Sequence, residues 1–306
     1  MNAHSIREIV IVSGKGGTGK TSLACAFAAC AKETVLCDLD VDVPDMHIVL
    51  RPKILTSLPF MGGNTASIRQ NDCIGCGTCY ESCQFEAITS HSGYSVDPVL
   101  CEGCGVCVAL CPEKAIDFPE ALCGNTYVSE TCFGPVVHAC LLPGQENSGK
   151  LVTLLKRKAR ELAEHYSYTT ILCDGSPGIG CPVVSSLAGA SLALAVVEPS
   201  LSGLHDFTRV SGVCRHFHLP VGVIINRSDL NPKGTEAIEE ECEKMGFRVF
   251  GRIPFAPAMI EATHKGLAIT EWDTPLADTV REMWDAIQSF RPSAKETLRP
   301  YSSSSL

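Results

Sequence analysis

Short apolar runs alternate with longer mixed stretches along the chain. Ile9-Val10-Ile11-Val12 is continuous and β-branched, and Thr34-Val35-Leu36-Cys37, Thr169-Thr170-Ile171-Leu172-Cys173, Leu192 to Val197 and Val221 to Ile225 repeat the pattern. Each run is apolar throughout rather than alternating, as strands covered on both faces of a parallel sheet must be. Helical stretches lie between them. The clearest spans 275–290, where Pro275 suits the first helical position and Leu276, Val280, Met283, Trp284, Ile287 and Phe290 form one apolar stripe. Strands alternating with helices predict an α/β fold with a doubly wound, mainly parallel sheet. The most apolar stretch, Val183 to Val197, is short and carries Ser185, Ser186 and Ser191. It reads as a buried helix and strand, not a membrane span.

One region breaks the pattern. From Ser67 to Phe118 no long strand or helix is expected, and cysteines crowd in as an internal repeat. Cys73-Ile-Gly-Cys76-Gly-Thr-Cys79-Tyr-Glu-Ser-Cys83 is echoed by Cys101-Glu-Gly-Cys104-Gly-Val-Cys107-Val-Ala-Leu-Cys111. A duplicated small unit inside an α/β chain reads as an insertion. The expected organisation is therefore a first part of the α/β domain at 1–66, an inserted small α+β domain at 67–118, and a second part at 119–290. The tail, 291–306, with Pro292, Pro300 and its closing serines, is expected to be disordered.

Composition sharpens this. In 306 residues, 45% hydrophobic and 19% charged, a sizeable core is available and wholesale disorder is excluded. A formal charge of −9 without a basic block argues against nucleic acid as partner. Eighteen cysteines could suggest a secreted disulfide scaffold. The opening residues, Met1 to Glu8, hold no basic stretch followed by an apolar one, so no export signal is expected. A reduced, cytoplasmic protein using thiolates as metal ligands fits better.

Two motifs carry candidate chemistry. The first strand is followed by Gly14-Lys15-Gly16-Gly17-Thr18-Gly19-Lys20-Thr21 and then helix-forming residues. This is P-loop spacing in its strand–loop–helix setting. The glycines let backbone N–H groups curl round phosphates, and the helix N-terminus adds partial positive charge. Lys20 would reach the β/γ-phosphates and the Thr21 hydroxyl would ligand Mg²⁺. The alternative is a glycine-rich turn without ligand.

Each cysteine run has the form C-x2-C-x2-C-x3-C, the spacing of bacterial two-cluster ferredoxins. Three close cysteines wrap one cubane and the fourth points back to the other. One [4Fe–4S] cluster is thus expected on Cys73, Cys76, Cys79 and Cys111, and the other on Cys101, Cys104, Cys107 and Cys83. Gly75, Gly77, Gly103 and Gly105 would let the backbone turn tightly. Gln84 stands where the second run has Pro112. Zinc is the competing reading, though zinc sites use well-separated cysteine pairs.

With Lys15 added, the run Lys15-Gly16-Gly17-Thr18-Gly19-Lys20-Thr21 resembles the deviant Walker A loop of the MinD/ParA family, which includes the nitrogenase iron protein. The whole chain resembles these P-loop ATPases with a ferredoxin domain inserted. That resemblance implies that Lys15 reaches a partner's phosphates in an ATP-dependent homodimer, or a heterodimer with a paralogous ATPase. Asp38-Leu39-Asp40 is similar to the family's switch I, with Asp40 favoured to orient the attacking water and Asp38 to lie near Mg²⁺; Asp42 and Asp45 blur the register. Asp174-Gly175-Ser176-Pro177-Gly178, expected at a strand end, resembles Walker B and switch II, with Asp174 holding Mg²⁺. Asn226 resembles the adenine contact and Pro254 the loop covering the base. Glu198 to Asp206 and Pro143 to Lys150 also resemble family segments.

Of the other cysteines, Cys25, Cys30, Cys37 and Cys173 read as small buried hydrophobes. Cys132 and Cys181 carry an alternative, a third cluster bridging subunits. His216 and His218 have no visible partner ligand. The leading expectation is an ATPase whose nucleotide state controls an iron–sulfur electron carrier, delivering electrons to a metallocluster partner protein or maturing its metal centre. The alternatives are a cluster-assembly ATPase of Mrp type and, last, a positioning ATPase like MinD or ParA. No membrane anchor is expected: the tail Lys295 to Tyr301 has no amphipathic face.

Overall fold

The computed structural model describes residues 6–91, 93–143, 148–272 and 274–292. The tail from residue 293, and Gly144 to Asn147 of the segment Pro143 to Lys150, lie outside the described residues.

The elements in chain order are β1 (Arg7–Ser13), α1 (Lys20–Cys30), β2 (Thr34–Asp38), α2 (Met46–Leu50), β3 (Lys53–Asn64), β4 (Ser67–Ile68), α3 (Thr78–Ser82), β5 (Ile88–Thr89), β6 (Ser95–Val96), α4 (Val106–Leu110), β7 (Ile116–Asp117), β8 (Glu120–Thr131), β9 (Gly134–Leu141), α5 (Ser148–Tyr166), β10 (Thr170–Pro177), α6 (Cys181–Leu187), β11 (Leu192–Val197), α7 (Leu201–His216), β12 (Val221–Asn226), α8 (Pro232–Met245), β13 (Arg248–Ile253), α9 (Pro257–His264) and α10 (Pro275–Ser289). The large sheet runs in the order β13-β12-β11-β1-β10-β2-β9-β8-β3. From β13 through to β9 every recorded pairing is parallel.

The five strands read from continuous apolar runs all form. They occupy the sheet centre, where residues such as Ile9, Ile11, Leu36, Leu172, Leu194 and Ile224 are buried. On one face α1 and α10 cover them, and Phe27 stacks on Trp284 at 5.3 Å between ring centroids. The stripe of α10 points inward as its spacing predicts: Val280, Met283, Trp284 and Ile287 are buried. Thr274 caps that helix, its hydroxyl accepting from Ala277 N–H at 3.2 Å ahead of Pro275. Val183 to Val197 resolves into α6 and β11, and no described helix is long and apolar enough to cross a membrane.

The chain divides into two compact units, one of residues 1–57, 126–139 and 148–306, the other of 58–125 and 140–147. The division falls within β3, β8 and β9. The sequence pattern does not predict these strands: β3 is exposed along most of its length, and β8 has only scattered buried positions, so neither carries a continuous apolar run. In the second unit the two cysteine runs have the same backbone, 28 residues apart. Gly75 and Gly103, Gly77 and Gly105, and Glu86 and Lys114 all have positive φ, between 50° and 80°. α3 and α4 are matching five-residue helices, while β4 pairs antiparallel with β7 and β5 with β6.

Candidate functional site

β1 delivers the chain into the phosphate loop and α1 carries it away. Gly14 must be glycine because a Cβ there would collide with Asp206 of α7. Gly19 caps α1 at φ 96°, a left-handed conformation that side chains resist, and a Cβ would press on the Asn226 amide. Lys20 is the first residue of α1 and is buried, and its charge acts on Asp40, just after β2, and on Asp174, within β10.

Two carboxylates, Asp38 and Asp174, stand opposite each other on β2 and β10. Asp38 closes β2 and accepts from the N–H groups of Asp40 at 3.1 Å and Met46 at 3.4 Å. Asp174 lies within β10, three residues before the strand finishes at Pro177, rather than at a strand end as the sequence suggests. The extension follows from the partner strand: Gly178 N–H donates to Ser13 O at 2.9 Å, keeping β10 on β1 past a register shift. Asp174 is 1% exposed; no donor meets its carboxylate oxygens at full hydrogen-bond geometry, while the Thr21 hydroxyl lies close enough to act on it. Burial pushes its carboxyl up to about 6, against the opposing Lys20 and Thr21. Burial and the neighbouring Asp174 raise Asp38 as well. Two buried carboxylates with unspent lone pairs beside a hydroxyl are a donor set for a hard, oxygen-seeking cation, so Thr21, Asp38 and Asp174 fit Mg²⁺. Asp40, half-buried, is raised by burial and lowered by Lys20.

Beside the loop, Gly19, Asn226, Pro254, Phe255 and Ile260 line a cavity of about 220 Å³. Asn226 ends β12 and its side-chain amide donates to Thr18 O at 2.7 Å, tying the strand to the loop. Lys15 does not point into open solvent. Its Nζ lies 2.5 Å from Glu198 Oε1.

The second unit holds two cavities, each lined by four cysteines. One has Cys73, Cys76, Cys79 and Cys111, with Ile68 and Tyr94 among its walls. The other has Cys83, Cys101, Cys104 and Cys107, with Phe85 and Phe118. All eight thiols are free. The Thr78 hydroxyl beside Cys76 holds that thiol below its ordinary value, while burial pushes Cys79 and Cys107 up. Cys111 Sγ accepts from Ala115 N–H at 3.3 Å. Among the described residues, no three Cys, His, Asp or Glu side chains converge as ligands of one metal ion would.

The description "CobQ/CobB/MinD/ParA nucleotide binding domain" matches residues 9–269. The chain belongs to this family. An uncharacterised protein of Methanocaldococcus jannaschii is 30% identical over 288 residues, covering 93% of this chain and 98% of that one. The septum site-determining protein MinD of Thermotoga maritima is 23% identical over 278 residues, covering 86% and 80%. The fold is that of MinD from Pyrococcus horikoshii, solved with Mg-ADP: TM-score 0.56, 17% identity, covering 93% of this chain and 96% of that chain.

Within the family domain, several long-range side-chain contacts carry no signal in the sequence pattern. Arg227 donates from Nη2 to Gly17 O at 3.0 Å, and Phe255 follows Pro254 into the cavity wall. Lys156 of α5 is 9% exposed and donates to the last carbonyls of α6, Ser186 O at 2.5 Å and Ala188 O at 2.6 Å, while pairing with buried Glu8 at 2.8 Å. These contacts join residues up to 210 positions apart. Cys25, Cys37 and Cys173 are buried and Cys30 half-buried. Cys132, in the link between β8 and β9, and Cys181, opening α6, are exposed. His216 and His218 are exposed too.

Proposed function

We propose that this chain is an ATP-hydrolysing iron–sulfur protein whose nucleotide state governs electron transfer to, or metal-centre maturation of, a partner metalloprotein. The observation that carries the reading is the sorting of the eight cysteines. Each cavity is lined by three cysteines of one run and the last cysteine of the other, the crossed set that a two-cluster ferredoxin needs. Four thiolates on a cubane bind four different irons and do not converge on a point. Four around one zinc would lie about 3.8 Å apart. The separation of the four sulfurs is thus what distinguishes a cubane from zinc. Bound there, two [4Fe–4S] clusters would accept and release single electrons.

At the nucleotide site, family membership supports ATP binding. The loop N–H groups and Lys20 would hold the phosphates, and Asn226 and Pro254 would flank the base. Thr21, Asp38 and Asp174 would hold Mg²⁺, which offsets phosphate charge. Asp40 would orient water for attack on the γ-phosphorus as the bond to the ADP oxygen breaks. Lys15 would serve a second copy or a paralogue.

The test is anaerobic purification with iron and sulfide analysis, then electron paramagnetic resonance of the reduced protein with and without Mg-ATP. About eight iron and eight sulfide per chain are expected, with a spectrum or midpoint potential that nucleotide shifts. Zinc in place of iron, or a spectrum and potential indifferent to nucleotide, defeats the proposal. A second reading, favoured by the likeness to MinD, is nucleotide-gated placement of a partner protein. It is supported instead if the iron-free chain still cycles between nucleotide-dependent partner complexes.

A further inference from the structure

Lys15 is anchored within its own chain. Besides the 2.5 Å contact with Glu198 Oε1, its Nζ donates to Ser202 Oγ at 3.1 Å. Glu198 is held from its other side. Arg227 Nη1 donates to Oε2 at 3.1 Å, and Ser200 Oγ donates to Oε1 at 3.1 Å. Arg227, at φ 57°, also grips Gly17 O. A closed chain of contacts therefore runs Lys15–Glu198–Arg227–Gly17, clasping the start of the phosphate loop. The Glu198 side chain is 16% exposed and that of Lys15 is 32% exposed, so the pair is partly shielded from water. Burial alone would raise the Glu198 carboxyl, but Lys15, Ser200 and Arg227 outweigh it and keep it below its ordinary value.

We propose that Glu198 is a positioning residue that holds Lys15 in cis and sets how readily it is released to the phosphates of a second copy. This rests on the reading of Lys15 as the residue that crosses to a partner's nucleotide. Release is feasible because Glu198 is not orphaned by it: Arg227 and Ser200 remain on the carboxylate. Retention is real because the ammonium leaves a carboxylate and a hydroxyl, which only a comparably anionic site replaces. A triphosphate supplies such a site more fully than a diphosphate, so the clasp favours opening to ATP.

The experiment uses the full chain with Glu198→Gln and the conservative Glu198→Asp. Lys15 acylation by an activated ester, followed by mass spectrometry without nucleotide, reads the clasp directly. Glu198→Gln should raise the Lys15 rate by about threefold or more, and Glu198→Asp should stay near wild type. In sedimentation, Glu198→Gln should dimerise at a lower Mg-ATP concentration than wild type. Unaltered Lys15 reactivity in Glu198→Gln overturns the clasp. Raised reactivity with an unaltered dimerisation threshold overturns its control of dimerisation. A wild type that stays monomeric in Mg-ATP overturns the dimer reading itself, while the acylation rates still decide whether Glu198 holds Lys15.

Discussion

Asp38 and Asp174 stand directly opposite each other on the neighbouring parallel strands β2 and β10, both carboxylates buried. Two like charges held out of water oppose folding, and the nearby Lys20 offsets this only in part. The site is thus strained for function. Asp174→Asn should stabilise the metal-free chain at pH 7 by about 2 kcal/mol, since a carboxyl raised to about 6 no longer has to ionise there. That is a rise of about 4–8 °C in a domain of this size, read by calorimetry in a chelator. The same variant should lose Mg²⁺-dependent ATP hydrolysis by about 100-fold or more. A variant that melts lower without metal, or still hydrolyses ATP, contradicts this account.

Asn226 supports the loop rather than only the base. Its amide N–H donates to Thr18 O at 2.7 Å, and its side-chain oxygen accepts from Arg227 N–H at 3.0 Å. Asn226→Ala removes a buried donor and leaves the Thr18 carbonyl unpaired, at about 1–2 kcal/mol. Affinity for ATP and GTP should fall together, by about fivefold to twentyfold, in titration calorimetry. A loss confined to ATP would show that the amide reads adenine and does not brace the loop.

The crossed cysteine sets make a separable prediction. Cys83 lines the cavity of Cys101, Cys104 and Cys107, although it lies in the other run. Cys83→Ser should therefore perturb the same cluster as Cys104→Ser, and Cys111→Ser the same one as Cys76→Ser. Low-temperature paramagnetic resonance of the four reduced variants reads this. Pairing by run, Cys83 with Cys76 and Cys111 with Cys104, would refute the crossed arrangement.

How much of this was legible from sequence depends on where the information lies. The central strands were legible because burial on both faces demands unbroken apolar runs, as in Ile9 to Val12 and Leu192 to Val197. The phosphate loop and cysteine runs were legible because their chemistry fixes local spacing. The edge strands were not, since an exposed strand such as β3 needs no apolar pattern. Nor were the contacts of Lys15, Arg227 and Lys156. Each is one long polar side chain meeting a group far away in sequence, and only the folded chain decides which group that is.

His138 illustrates such a contact with a consequence for stability. It lies on β9, its ring stacked on Tyr127 at 5.0 Å and its Nε2 2.9 Å from Ser129 Oγ, both on β8. Burial, with a smaller push from His47 on α2, lowers its pKa to about 4 from an ordinary 6.5. The unfolded chain therefore binds a proton between pH 6.5 and 4 that the folded chain refuses. Stability from this residue is complete above pH 6.5 and is lost progressively as pH falls toward 4. The shift corresponds to about 3 kcal/mol at most. His138→Gln keeps an acceptor for Ser129 and cannot titrate. In denaturant unfolding, the wild type should lose about 2–3 kcal/mol more than the variant between pH 7 and 4.5. Asp38 and Asp174 titrate with the opposite sign over part of this range, being raised, but they are common to both proteins and cancel in the difference. Parallel pH dependence of the two proteins would mean that His138 is solvated and that its stacking on Tyr127 does not exclude water.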